Sequence, residues 1–213
     1  MAKAWDAWLP DVLPHVAGCP DVLATHEIKR AAQTFFRETL AWRAVLDLID
    51  IAASEPEMRV TPDAAGTEIV RIEQAALGAV RLNPLSLDAI AIAFGADWAA
   101  QTGTPEAITA VTPNSIRFVP YPVEALADKL SLTVALMPSE TATGITDELY
   151  AHYREAIADG AKSRLMRVSG QPWANPDMGA ALAARFENGI TAARTDAARA
   201  HGRATPRSRA SFC

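Results

Sequence analysis

The chain has 213 residues, half of them hydrophobic and 21% charged, which is an ordinary composition for a globular protein. Its formal net charge of −5 argues against a histone-like nucleic-acid binder, and its two cysteines, Cys19 and Cys213, exclude a disulfide framework and a cysteine-based zinc site. We see neither a signal sequence nor a stretch of about 20 apolar residues that could span a bilayer, so we expect a soluble protein without a membrane segment.

The first 20 residues are rich in proline. Three prolines prevent one continuous helix, so we predict an N-terminal arm over 1–20 that contains a short helical turn. Trp5 and Trp8 lie in this arm. Large aromatic side chains in such an arm either join the core or anchor on a partner, and both interpretations remain open for these two residues.

The next segment predicts an amphipathic helix near 21–42. Its apolar residues recur with helical spacing, and charged residues lie between them. Pro20 suits a first helical turn, which places the start of the helix between Asp21 and His26.

The central part of the chain has the texture of a β-rich region. Prolines and glycines cut it into short pieces, which favours strands over long helices. The predicted strands are, in chain order, 46–51, 67–72, 78–82, 108–111, 115–119 and 129–137. The second and third form one predicted hairpin, and the fourth and fifth form another around the turn Thr112-Pro113-Asn114. Residues 85–94 fit either a short helix or a strand.

The last third is helical again, with predicted helices near 147–168 and 176–200. Asn175 is a capping residue for the second of them, and Trp173 lies in the turn between the two. Gly160 and Gly189 fall on the inner faces of these helices, where each costs about 1 kcal/mol of helix propensity relative to alanine. We therefore predict that the two helices cross closely at these glycines.

Residues 202–213 show no periodicity and form a predicted extended tail. They contain three arginines and no acid, so the remaining 201 residues carry 17 basic and 25 acidic side chains and a net charge of −8. A cationic end is thus attached to an acidic body. Such an end is most often simply solvated, but three arginines, a proline and Phe212 in this short stretch also fit an extended docking peptide.

The sequence contains no recognisable catalytic constellation. The four histidines have no spacing that presents two of them on one helical turn, and no nucleophile elbow, Walker loop or dinucleotide fingerprint occurs. We therefore expect no catalytic residues, no metal site and no cofactor, and we predict that the protein is not an enzyme. An enzyme that uses His152 and nearby carboxylates is the weakest of the alternatives.

Two parts of the sequence resemble the head-to-tail adaptor proteins of tailed bacteriophages. The first is the segment WLPDVLPHVAGCP, which runs from Trp8 to Pro20, and the helix after it with the pairs Ala31-Ala32 and Phe35-Phe36. The second is YREAIADGAKSRL, from Tyr153 to Leu165, followed by PWANP from Pro172, Phe186 and the basic tail. Together they cover both helical ends of the chain.

The resemblance implies a virion structural protein of the neck, in the virion and, during assembly, in the host cytoplasm. Such adaptors form a dodecameric ring beneath the portal, which connects the portal to the next neck or tail component and lines the channel through which the genomic DNA passes. The helices of each subunit form a small bundle that a β-rich insertion decorates. The expected portal-docking residues in the tail are Arg203, Pro206, Arg207, Arg209 and Phe212, and the expected subunit or partner contacts are Trp5, Trp8 and Trp173.

The predicted fold class is therefore α+β. We divide the chain into the arm at 1–20, a helical core of 21–44 and 145–201, a β-rich insertion at 45–140 and the portal-docking tail at 202–213. An acidic body suits a DNA channel, because a basic lining would bind phosphates and impede passage. The alternatives are a neck stopper or tail-completion protein, which would be built on a β-barrel, and a DNA-binding component of the packaging machinery, which would need a basic helix face.

Overall fold

The computed structural model describes residues 2–199, in which helices and strands both occur, so the predicted α+β class is confirmed. The α-helices and β-strands of this part of the chain are, in order, β1 (Ala2–Ala4), α1 (Leu9–Val12), α2 (Asp21–Thr39), β2 (Arg43–Ile51), β3 (Glu57–Arg59), β4 (Thr67–Leu77), β5 (Val80–Pro84), α3 (Leu87–Phe94), β6 (Ala107–Thr112), β7 (Ser115–Val119), β8 (Leu126–Pro138), β9 (Gly144–Thr146), α4 (Asp147–Met166) and α5 (Pro176–Ala198). Short 3-10 turns occur at Trp5–Trp8, Leu13–His15 and Trp98–Ala100.

The chain divides into two compact units. Among the described residues, the helical unit comprises 2–41 and 144–199, and the β unit comprises Trp42–Thr143. These boundaries lie close to the predicted ones at 44/45 and 140/145. The arrangement differs from the prediction at the N-terminus, because 1–20 is not a separate arm: its described part belongs to the helical unit.

The apolar residues of helix α2 lie on its buried face, as their spacing in the sequence predicts. It begins at Asp21 directly after Pro20, and the side chains that face the core include Ile28, Phe35 and Phe36. Leu40 adopts a left-handed conformation with φ of 54°, and its N–H donates to the Phe36 carbonyl at 3.1 Å. This backbone turn ends the helix at Thr39, earlier than the predicted 42.

The strands of the β unit form a seven-stranded sheet in the order β2-β8-β4-β5-β6-β7-β3. The neighbours pair antiparallel except β5 and β6, which pair in parallel. The two predicted hairpins are present as β4–β5 and β6–β7. Strand β8 lies between β2 and β4, and its residues Leu130, Leu132, Val134 and Leu136 are fully buried.

The turn between β6 and β7 also joins distant parts of the β unit. Asn114 has a positive φ of 62°, which asparagine tolerates better than most residues. Its side-chain Oδ1 accepts from the N–H of Ile69 in β4 at 2.9 Å, and its carbonyl accepts from the N–H of Val60 at 2.8 Å. The predicted turn residue therefore fixes two other segments as well as its own hairpin.

The ambiguous segment 85–94 contains the helix α3. The Ser86 hydroxyl caps it by accepting from the Ala89 N–H at 3.3 Å, and Gly95 with φ of 83° follows its last residue. Ile90 is fully buried in a cluster with Ala107 and Val119. Ile92, two positions along, is 86% exposed.

This contrast within α3 yields a matched pair of variants. Ile90→Ala should lower the free energy of unfolding by about 2–4 kcal/mol, because it removes buried methyl groups and leaves a cavity. Ile92→Ala should change it by less than about 0.5 kcal/mol, because that side chain is already in water. Urea unfolding followed by circular dichroism measures both, and equal losses in the two variants would contradict the assigned faces of α3.

Candidate functional site

Helix α4 is the central element of the helical unit. It contacts α1, α2 and α5, and every residue from Ile157 to Ser163 is buried. This stretch is covered on all sides and therefore has no continuous polar face, whereas much of the first half of the helix is exposed. Its polar and charged residues must therefore find partners within the protein or line the clefts beside the helix.

The N-terminal segment is fastened to the first half of α4. The Trp8 ring meets the Tyr150 ring edge-on at 4.5 Å, and the Trp8 indole N–H donates to the carbonyl of Arg154 at 3.2 Å. The Tyr150 hydroxyl donates to the Ala7 carbonyl at 3.1 Å. The Arg154 guanidinium donates to both oxygens of the Asp11 carboxylate and forms a bidentate ion pair with it.

The same segment is also paired with the strand before α4. Strands β1 and β9 are antiparallel, with Ala4 opposite Gly144. A Cβ atom at Gly144 would overlap the backbone of Lys3, so the close approach of the two strands requires glycine there. The pairing with β1 therefore fixes the position of β9, the strand that leads directly into α4.

The prediction that Trp5 and Trp8 are anchors for a partner is wrong for the described structure. Trp5 is 6% exposed and Trp8 is fully buried, so both are core residues of the helical unit. The physical reason is that Tyr150 and Arg154 supply an aromatic edge and a carbonyl acceptor for Trp8. No residue near Trp8 in the sequence indicates these partners, which lie more than 140 positions away.

Helices α4 and α5 pack closely at small residues, as predicted from the two glycines. A Cβ atom on Gly160 would lie 2.8 Å from the Phe186 ring, and one on Gly189 would lie 3.1 Å from the Cβ of Ala156. A third contact occurs at Gly179, where an added Cβ would lie 2.9 Å from the side chain of Arg167. The glycines thus allow the Phe186 ring to lie against the backbone of α4.

An ionic network centred on the buried Asp159 lies beside this crossing. Asp159 is 3% exposed, its Oδ1 lies 2.8 Å from Lys162 Nζ, and its Oδ2 lies 3.1 Å from Arg185 Nη2. Arg185 also donates to Glu155 at 2.7 Å. Because two cations face Asp159, its charge is compensated within the helical unit.

A second cation of α4 is turned towards α2. Arg164 donates to the Thr34 hydroxyl at 2.8 Å and lies 3.9 Å from the Glu27 carboxylate. Burial lowers the pKa of Arg164 from its usual value, and Glu27 opposes this shift. The partners of Arg164 lie about 130 positions away in sequence, so they follow from the tertiary packing and not from local sequence.

A cleft of about 460 Å³ lies along α4 and α5 and is called the α4–α5 cleft. Its walls carry the carboxylates of Glu155, Asp159 and Asp196, the Arg185 guanidinium and the ring of Tyr153. Burial, Asp196 and Glu148 together raise the pKa of Tyr153 above its usual value, so the phenol stays neutral at physiological pH.

A further cleft of about 550 Å³ lies between α4 and the N-terminal segment. His15, His152 and Lys162 line it together with the Asp11–Arg154 pair. The two histidines therefore share a cleft although they are far apart in sequence. Neither a serine, a threonine nor a cysteine lies among its lining residues.

Three further features of the sequence remain to be placed: Trp173, the cysteine Cys19 and the tail residues. Trp173 is half-buried, and its indole Nε1 is buried without a hydrogen-bond partner among the described residues, so its role as a partner contact remains a prediction. Cys19 is buried, and burial and Asp21 raise the pKa of its thiol, which disfavours the reactive thiolate. The portal-docking residues Arg203, Pro206, Arg207, Arg209 and Phe212 lie outside the described residues.

The described residues form neither a metal-binding group nor a membrane span. Within 2–199, no three histidine, cysteine, aspartate or glutamate side chains lie together in a group that could hold a metal ion. None of the helices in that range is long and apolar enough to cross a membrane.

No protein-family model matches the sequence, and no curated protein matches it significantly.

The attachment of the N-terminal segment can be tested with two variants. Trp8→Ala should lower the free energy of unfolding by about 3–5 kcal/mol, because it empties a fully buried site and removes the bond to Arg154. Asp11→Ala should cost no more than about 1 kcal/mol, because the Arg154–Asp11 pair is partly exposed. Urea titration of both variants measures the two values. Losses that differ by less than about 1 kcal/mol would show that Trp8 is not a core residue.

Proposed function

We propose that the chain is a structural subunit of a phage neck, an adaptor that forms a dodecameric ring beneath the portal. In this role it binds the portal protein, the next neck or tail component and further copies of itself. The genomic DNA passes through the ring without sequence-specific binding. The work is mechanical, so the proposal includes neither an enzymatic activity nor a cofactor.

The observation that carries the proposal is the division of the chain. Residues before Ala41 and after Gly144 build one helical unit, and the β unit is inserted between them. The resemblance to phage adaptors rests on the two helical ends of the chain and implies a helical bundle with a β-rich insertion. The two segments that carry it, 8–20 and 153–165, contact each other in the structure through Trp8, Asp11 and Arg154.

The chemistry of the helical unit supports a structural role. Asp159, Lys162, Arg185 and Glu155 pair with one another, and Arg164 pairs with α2. Of these pairs, those of Arg185 and Arg164 join α4 to α5 and to α2, which is consistent with charged groups that serve the packing of the helices. The net charge of −8 over 1–201 further suits a surface past which DNA slides.

The proposal predicts that the tail tethers the protein to the portal. A chain that ends after His201 should keep its circular dichroism spectrum but should no longer co-purify with the portal protein encoded in the same genome, because it lacks the three tail arginines. The full chain should bind and should form rings on the portal that negative-stain electron microscopy can show.

A matched control uses the arginine at the end of the described chain. Arg199→Gln should leave portal binding unchanged, whereas replacement of Arg203, Arg207 and Arg209 by glutamine should abolish it. Undiminished binding of the shortened chain would contradict the tether. A full chain that neither binds the portal nor forms rings on it would contradict the adaptor function itself.

A further inference from the structure

The seven-stranded sheet of the β unit has a face that is only partly covered. Alternate residues of β8 are fully buried on the opposite face, namely Leu130, Leu132, Val134 and Leu136. The residues between them point the other way, and the residues paired with these in β2 and β4 share their direction. This surface of β2, β8 and β4 is called the outer face, and it contains Arg43, Val45, Arg71, Gln74, Thr133 and Ala135. Val45 is 59% exposed, so the surface is open to water.

The outer face carries cations that lack partners. Arg43 is paired with Glu73 at 2.7 Å. Among the described side chains, however, none forms a hydrogen bond or an ion pair with the exposed guanidinium groups of Arg71 and Arg81. Arg81 extends the outer face, because it is paired with Ala76, an outward-facing position of β4. Unpaired arginines beside an exposed valine favour a partner that is both apolar and acidic.

Helix α3 has an apolar side that its own sheet does not use. It packs on β6 and β7 through Ile90, which lies in a cluster with Ala107 and Val119. Its other side is open to water, with Ile92 86% exposed and Leu87 46% exposed. Two large aliphatic side chains on one short helix are thus left without a protein contact of their own size.

The same side of α3 is acidic. Asp88 is exposed and precedes Ile92 by four positions, which places the two side chains next to each other on the helix. Residues 82–116 contain Asp88, Asp97 and Glu106 but neither lysine nor arginine. The exposed side of α3 is therefore complementary in charge to the outer face, and each surface has an exposed aliphatic residue among its charges.

The two surfaces do not satisfy each other within one chain. A cavity of about 710 Å³ lies between β4 and the start of α3. Arg71 and Asp88 both line it, yet in the described structure they form no ion pair with each other. Because Ile90 holds α3 on β6 and β7, Ile92 on the other side of the helix cannot reach the same sheet. Each surface therefore has room for a contact that a second molecule supplies.

We propose that the outer face binds helix α3 of a second copy of this chain. In this contact Ile92 of the second copy packs beside Val45, and Asp88 of the second copy pairs with Arg71. The contact joins two different surfaces head to tail, so it repeats from copy to copy, as a ring requires. It deepens the proposed function by naming surfaces through which copies meet, and it rests on that function only for the closure of the ring.

The test measures self-association of the full natural chain by sedimentation velocity, at low salt, with a reducing agent and without the portal. The natural chain should form dimers and larger species as its concentration rises towards about 1 mM. A double substitution, Arg71→Glu with Arg81→Glu, should weaken this association at least about tenfold, because it places carboxylates opposite the acidic helix. Ile92→Arg should weaken it as much, because it brings a cation to the arginines of the outer face.

Matched controls place the same charges elsewhere. Arg59→Glu reverses an exposed arginine of β3, the strand at the far edge of the sheet, and should leave the association unchanged. Val22→Arg introduces a cation at an aliphatic residue of α2 that is 83% exposed, and it should have no effect either.

A mixture of the two disabled variants tests the pairing of the surfaces directly. The Arg71→Glu/Arg81→Glu chain keeps its α3, and the Ile92→Arg chain keeps its outer face. Each alone should be monomeric, but an equimolar mixture should form a heterodimer and nothing larger, because only one contact is possible between them.

Several outcomes would overturn the proposal. These are a natural chain that stays monomeric up to about 1 mM, a natural chain that stops at a dimer, a mixture without a heterodimer, and controls that lose association as much as the test variants do. The portal takes no part in these measurements. A failure here therefore rejects these surfaces and leaves the adaptor function to the portal-binding experiment, whereas a failure to bind the portal leaves this contact standing.

Discussion

The contact between Gly160 and the Phe186 ring sets the distance between α4 and α5. A Cβ atom at position 160 would lie 2.8 Å from that ring, closer than packed side chains approach. The contact places Phe186 in the core, 5% exposed, against Phe35 of α2 at a centroid distance of 6.2 Å. The three long helices of the unit therefore meet at the Phe186 side chain. The ring fits there because Gly160 of α4 has no Cβ atom.

Tight packing around α4 has consequences for its charged residues. Once α2, α5 and the N-terminal segment cover the helix, Asp159 and Lys162 are largely buried, and their charges are compensated by neighbouring side chains. Arg185 supplies part of that compensation from α5 and at the same time connects Asp159 to Glu155 at the edge of the cleft. The acidic cleft thus results from the packing of α4 against α5, which brings these carboxylates to one groove.

The helical unit is built from two separate parts of the sequence, and the residues between them form the β unit.

The sequence predicted those features that depend on neighbouring residues. Helical spacing located α2, Asn175 located the start of α5, and glycine in the middle of two helices indicated their close crossing. The hairpin around Asn114 was predicted from turn chemistry. Each of these signals lies within a few positions of the element it defines.

Features that depend on distant residues were missed or misread. The burial of Trp8 requires Tyr150 and the Arg154 carbonyl, and nothing near Trp8 in sequence reports them. The position of β8 between β2 and β4 is likewise a matter of strand order, which alternation alone does not determine. The α4–α5 cleft escaped notice because Glu155, Asp159 and Asp196 belong to two helices, and only the crossing brings them to one groove.

The central claim is that the α4–α5 contact at Gly160 requires glycine, and a double-mutant cycle with Phe186 tests it. Gly160→Ala should lower the free energy of unfolding by about 1–3 kcal/mol through overpacking, although alanine is the better helix former. In a Phe186→Leu background, which removes the ring, most of this loss should disappear. If Gly160→Ala instead raised the free energy of unfolding by about 1 kcal/mol in both backgrounds, as at an unconstrained helical position, the close crossing would be refuted.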